Sequence, residues 1–198
     1  MRSNLSRFTA VVALIAASAC GDRAAITAPA AGPSAHRTLL ANPATVNVVT
    51  RNTPLATSVS VTKTIGLLGG TIAIPAAGIT VVFPALAVSS PTQITVTAVA
   101  GNEVAYEFAP HGIHFAVPLV ATQSLVGTSA QGTLLQTLNA GYFQSLSDLN
   151  LANGTAVVSE LLNAGVGVGG LTATFPIYHF SGYLVASGLA DDGSSSQQ

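Results

Sequence analysis

The chain has 198 residues, enough for one domain of ordinary size that buries about two-thirds of the surface its unfolded form exposes. Only 7% of the residues are charged, which excludes disordered polyampholyte and coiled-coil classes and leaves hydroxyl side chains to wet the surface. Beyond residue 19 the bases are Arg23, Arg37, Arg51 and Lys63, against the acids Asp22, Glu103, Glu107, Asp148, Glu160, Asp191 and Asp192. No basic cluster exists to neutralise a string of phosphates, so nucleic acid and electrostatic docking on anionic lipid are excluded.

The first predicted element is an export signal spanning residues 1–19. Arg2 and Arg7 form a positive head, and Phe8 to Ala17 is an uncharged, mostly apolar run too short to cross a bilayer. Ala17-Ser18-Ala19 then offers small residues to a peptidase, and Cys20, the only cysteine, follows at once. A lone cysteine forms no internal disulfide. Its place resembles a bacterial lipobox, where the thiol is acylated and becomes the new N-terminus; Ala17 departs from the leucine favoured there. The alternative is a plain Ala-x-Ala cleavage site with Cys20 incidental behind it, and both readings export the protein. Residues 20–55, rich in alanine, proline, threonine and asparagine without sustained periodicity, read as a lipidated tether, with a partner-binding strand around Val46 to Val49 as the alternative.

Strands follow with period two. Val59 and Val61 face a core, with Ser60 and Thr62 outward. Gly69-Gly70 opens a hairpin into Thr71 to Pro75, and Ile72 and Ile74 point inward; Ile79, Val81 and Phe83 repeat the pattern up to Pro84. Next come Ile94, Val96 and Ala98, then Val104, Tyr106 and Phe108 with Glu103, Ala105 and Glu107 outward. Phe115, Val117 and Leu119 are a further inward row, and Pro118 marks an edge or a bulge. Between Leu125 and Asn153 the pattern fits strand or helical turn almost equally; strands are assigned to Leu134 to Leu138 and Gly141 to Gln144. Asn153-Gly154 is a turn, Thr155 to Leu161 a strand, and Gly165 to Gly170 a connection. Leu171, Ala173, Phe175 and Ile177 form an inward row, and Ser181 to Val185 is the final strand. Strands about every ten residues with no amphipathic helix predict an all-β, two-sheet antiparallel sandwich.

Several of these pieces carry a resemblance. The glycine pair, the strand ending in Phe83-Pro84, the Pro91 to Val96 segment (Pro-Thr-x-Ile-Thr-Val) and the Phe108 to Pro118 segment (Phe-x-Pro-His-Gly-x-x-Phe-x-x-Pro) together resemble the ZU-five domain of ankyrins, netrin receptors, tight-junction scaffolds and bacterial secreted proteins. The likeness covers residues 56–187, leaving 188–198 as a polar tail. It implies a β-sandwich used for interaction or tethering, sometimes self-cleaving, with no small-molecule chemistry.

Candidate chemistry is sparse. His111 and His114 are three apart, so on a strand they face opposite sides, and no third metal ligand is near; a corner histidine and a half-buried one are expected. Glu103 and Glu107 are four apart and share the outward face of a strand as solvated residues. A Ser-His-Asp triad lacks its Gly-x-Ser-x-Gly elbow. His179-Phe180-Ser181 differs, because some ZU-five domains cut themselves at this tripeptide: Ser181 Oγ attacks the Phe180 carbonyl, His179 assists proton transfer, and a strained turn activates the amide. The plain alternative is a relaxed final strand with Phe180 and Tyr183 in the core.

The first expectation is a non-enzymatic envelope lipoprotein, anchored to membrane through Cys20, with a protein partner and neither cofactor, metal nor small-molecule substrate. A self-cleaving module is the alternative. A carbohydrate-binding sandwich is the third reading, and it needs an exposed aromatic row, which only Tyr106, Tyr142, Tyr178 and Tyr183 could supply without tryptophan.

Overall fold

The computed structural model describes residues 37–134 and 137–190, so the export signal, Cys20 and the tail beyond residue 190 lie outside the described residues. Those residues form fifteen strands and three short 3-10 turns: β1 (Arg37–Val48), β2 (Thr50–Leu55), β3 (Val59–Ile65), β4 (Gly70–Ile74), β5 (Ile79–Phe83), β6 (Thr92–Ala98), β7 (Gly101–Glu103), β8 (Ala105–Ala109), β9 (His114–Ser124), β10 (Asn139–Phe143), β11 (Leu149–Asn150), β12 (Thr155–Asn163), β13 (Gly165–Val166), β14 (Thr172–His179) and β15 (Gly182–Leu189). The larger sheet runs β1-β12-β10-β15-β8-β6-β3, with β11 beside β12; the smaller runs β13-β14-β9-β5-β4, and β2 pairs with β7 alone. All pairings are antiparallel, and the architecture is an all-β sandwich.

Alternation builds the space between the sheets. Ile72, Ile74, Ile79, Val81, Phe83, Ala173, Phe175 and Ile177 from the smaller sheet meet Ile94, Val96, Tyr106, Phe108, Tyr183 and Val185 from the larger, all of them buried. A second core lies apart from this one. The end of β1 also pairs with β15, Val46 opposite Leu189, so β1, β12, β10 and β15 close a ring around Val46, Phe143, Ala156, Val158, Leu184 and Ala186. Closure puts apolar groups on both faces of β15, whose first five residues are all buried. Gly182 in β15 has to be glycine, since a Cβ there would stand 2.1 Å from the Phe143 ring.

Several expectations change. Residues 37–55, expected as tether, form β1 and β2, with β1 paired over most of its length to β12. The β3–β4 turn is not a hairpin within one sheet; it carries the chain from the larger sheet to the smaller. Glu103 is buried and Glu107 half-buried, so they share no solvated face: the strand breaks at Val104, whose N–H goes to the Val49 carbonyl, and the alternation restarts in β8. Ala105 is buried because it faces the ring core. Val117 is 41% exposed while Leu119 is buried, because the β9–β14 register shifts between Ile177 and His179 beside Pro118, which has no N–H to give the ladder. Leu171 precedes β14 and is exposed, and Leu134 sits in an exposed bend rather than a strand, residues 135–136 being outside the described set.

Tyr106 crosses the main core with the Ala77 carbonyl, at 2.9 Å, and Gln123 Oε1 within reach as acceptors for its one hydroxyl hydrogen. Burial pushes its phenol from 10.0 up to about 12, against the opposing pull of Arg51. The folded chain therefore holds a proton that the unfolded chain gives up sooner. Stability from this group is complete below about pH 10 and falls as pH rises toward 12. Urea denaturation at stepped alkaline pH should show that decline, with a shallower slope in Tyr106→Phe.

Candidate functional site

β14 belongs to the smaller sheet and β15 to the larger, so Phe180 and Ser181 are the corner where the chain crosses between them. The tripeptide singled out by sequence is that corner. The Phe180 ring anchors it, packing edge-on to Phe115 at 4.8 Å, stacked on Phe108 at 5.3 Å and edge-on to Phe83 at 6.4 Å. Backbone bonds hold it further. Phe180 N–H donates to Ile113 O at 2.9 Å, Gly112 N–H donates to Phe180 O at 3.2 Å, and Phe108 N–H donates to Ser181 O at 2.8 Å. The facing loop is the Pro110-His111-Gly112 corner, where Gly112 has a φ of 81° that suits glycine and brings its N–H onto the Phe180 carbonyl.

The side chains of the tripeptide have separate partners. His179 Nε2 lies 3.1 Å from both oxygens of Glu160 on β12, so this buried pair ties the smaller sheet to the larger. The imidazole stands perpendicular to the Tyr142 ring at 4.2 Å, with the His114 ring at 5.6 Å. Tyr183 OH donates to His179 O at 3.0 Å, and burial raises that phenol well above its ordinary range. Ser181 Oγ donates to Gln144 O at 2.9 Å. Apart from Tyr183, these groups line a cleft of about 590 Å³, with His111, His114 and Ser159 on its wall and Leu39 and Leu40 of β1 beside them.

His111 and His114 thus share one cleft instead of facing opposite sides, because residues 110–112 form a turn and not a strand; His114 is exposed rather than half-buried. No group of three metal-ligating side chains converges among the described residues. Sequence reasoning missed Glu160 as the partner of His179; nineteen residues and a change of sheet separate them, and no local spacing announces such a pair.

Chemically, the corner gathers a bonded carbonyl, a hydroxyl and an imidazole on three consecutive residues. The Phe180 carbonyl already accepts an N–H of the kind that would stabilise an oxyanion, the neighbouring hydroxyl is oriented, and the imidazole is held by a carboxylate. Leu86 is the one non-glycine residue with positive φ, and Ala109-Pro110 the one cis peptide, among the described residues, so neither feature falls on Phe180 or Ser181. Of the four tyrosines, Tyr106 and Tyr183 are fully buried and Tyr142 and Tyr178 half-buried.

No protein-family model and no curated protein matches the chain. The class that the fold and corner define is an all-β sandwich with a pinned, polar cross-sheet corner.

Proposed function

We propose that this chain is an exported, lipid-anchored envelope protein whose sandwich, of the ZU-five type, serves as a non-enzymatic interaction module. The observation that carries the reading is the placement of Cys20 directly behind the apolar run of the export signal, with the first strand of the sandwich beginning soon afterwards at Arg37. The interaction half is supported by the outer face of the smaller sheet, where exposed Val82 lies opposite exposed Val120 in register, next to Pro176, and the neighbouring row is Thr80, Thr122 and Thr174. A face carrying apolar and hydroxyl groups suits contact with another protein. The carbohydrate reading is not favoured, since Tyr106 and Tyr183 are buried and Tyr142 and Tyr178 are half-buried, which leaves no exposed aromatic row among them.

Two or more acyl chains give stable anchoring whereas one is marginal, so wild-type protein should fractionate with membranes and Cys20→Ser should move to the soluble envelope or medium. Wild-type protein in the soluble fraction would sink the lipoprotein assignment.

The Gly112 contact to the Phe180 carbonyl favours a second reading, self-cleavage between Phe180 and Ser181. Attack of Ser181 Oγ on the Phe180 carbonyl carbon would form an ester as the C–N bond breaks, the hydroxyl proton passing to the departing amine; water would then hydrolyse the ester. The C-terminal piece should stay bound through β15 until denaturation. Denaturing mass spectrometry tests this: two fragments from wild type and an intact Ser181→Ala chain support it, and an uncut wild type removes it.

A further inference from the structure

The Arg51 side chain on β2 raises a separate question from the cleft. It is 7% exposed, and a buried guanidinium carries five N–H donors and a charge that needs compensation. One Nη1 hydrogen goes to the main-chain oxygen of Glu103, and Nη2 donates to Tyr106 OH at 3.3 Å. The guanidinium carbon lies 5.7 Å from the centre of the Tyr106 ring. Nε has no acceptor, and among the described residues no carboxylate oxygen lies within 4.0 Å of Arg51. The cation is thus fixed in place by neutral partners and lacks a contacting counter-charge.

Arg51 also walls an open recess of about 350 Å³, formed by the Pro75 to Gly78 turn, Gln123 and Ser124 at the end of β9, and the turn through Val126, Gly127 and Thr128. The floor is rigid. Tyr106 OH accepts from Arg51 and has Ala77 O and Gln123 Oε1 within reach as acceptors for its one hydrogen, while Gln123 Nε2 donates to Ala77 O at 3.0 Å and Ser124 O at 2.7 Å. Thr53, Ser124 and Thr128 bring hydroxyls to the lining, and Pro75, Ala76 and Val126 bring apolar surface.

We propose that this recess is a receptor for a carboxylate, with Arg51 as the charged contact and the apolar wall accommodating a short aliphatic group. A guanidinium fork matches the two oxygens of a carboxylate. A single cation balances one negative charge, which favours a monoanion over a phosphate dianion. The rival source of compensation is internal: Glu103 is buried with Oε2 unpartnered, but it does not line the recess.

The test is a titration of the mature full-length protein with sodium acetate against sodium chloride at equal ionic strength, following the Arg51 Nε–Hε resonance by NMR and the melting temperature. A second arm uses alanyl-alanine and its C-terminal amide. A saturable shift with acetate, or with alanyl-alanine but not its amide, is the expected result; the first marks a small free acid and the second a peptide C-terminus. The shift should vanish in Arg51→Gln and persist in Glu103→Gln. If neither probe moves the wild-type resonance beyond chloride, or if Glu103→Gln destabilises the fold while acetate remains without effect, Glu103 is the counter-charge and the carboxylate site is wrong.

Discussion

Phe83→Ala is expected to lower the unfolding free energy by about 3–5 kcal/mol, a large share of the 5–15 kcal/mol that holds a typical domain together. Phe83 is 2% exposed at the end of β5, and its ring meets the edge of Phe180, so truncation would open a cavity beside the cross-sheet corner as well as removing buried area. Phe175→Ala, with Phe175 1% exposed in β14, should cost a similar amount. Chemical denaturation of the wild type and both variants measures this directly. EDTA should leave the wild-type melting temperature where it is, because the apolar rows carry the stability; a sharp fall would direct attention to His111, His114 and the cleft.

The second large effect is expected at the pair that joins the sheets. His179 and Glu160 are 5% and 6% exposed, and their contact at 3.1 Å replaces most of the water that each side chain meets in the unfolded chain. Removing one member of a buried, hydrogen-bonded pair costs more than the pair contributes net, because the other has been desolvated without its partner. His179→Ala should therefore lose about 3 kcal/mol, and Glu160→Gln, which keeps the shape and one acceptor, should lose less. Stability unchanged within about 0.5 kcal/mol in both variants would mean that the corner is held by the Phe180 ring and its backbone bonds alone.

Where strands have one face on the core, the sequence was legible. Ile72 and Ile74, Ile79 to Phe83, Ile94 to Ala98 and Ala173 to Ile177 alternate cleanly, and each is buried as that alternation demands. Reading failed where the period is interrupted or both faces are covered. β1 contains an irregularity between Leu39 and Ala44, with Pro43 inside it, so its two paired segments never show one continuous pattern. The ring closure buries Ala105 and Leu184 on the face that a simple sandwich would leave wet. The shift beside Pro118 turns Val117 outward.

The candidate site was legible only in its nucleophile and histidine, since His179, Phe180 and Ser181 are contiguous. Glu160, Gln144 and Gly112 reach the corner from β12, from the residue after β10 and from the loop before β9. Their convergence is a property of the topology. The same holds for Arg51, whose neighbours Tyr106 and Gln123 come from β8 and β9. An arginine in a segment read as tether gave no sign that it would be buried.

The central claim, an anchored interaction module, is tested most directly by intact mass under denaturing conditions on protein purified from a bacterial host with its own lipidation machinery. The account predicts one uncut species that begins at Cys20 and carries the added mass of two or more acyl chains. A species that begins at an unmodified Cys20 would contradict it.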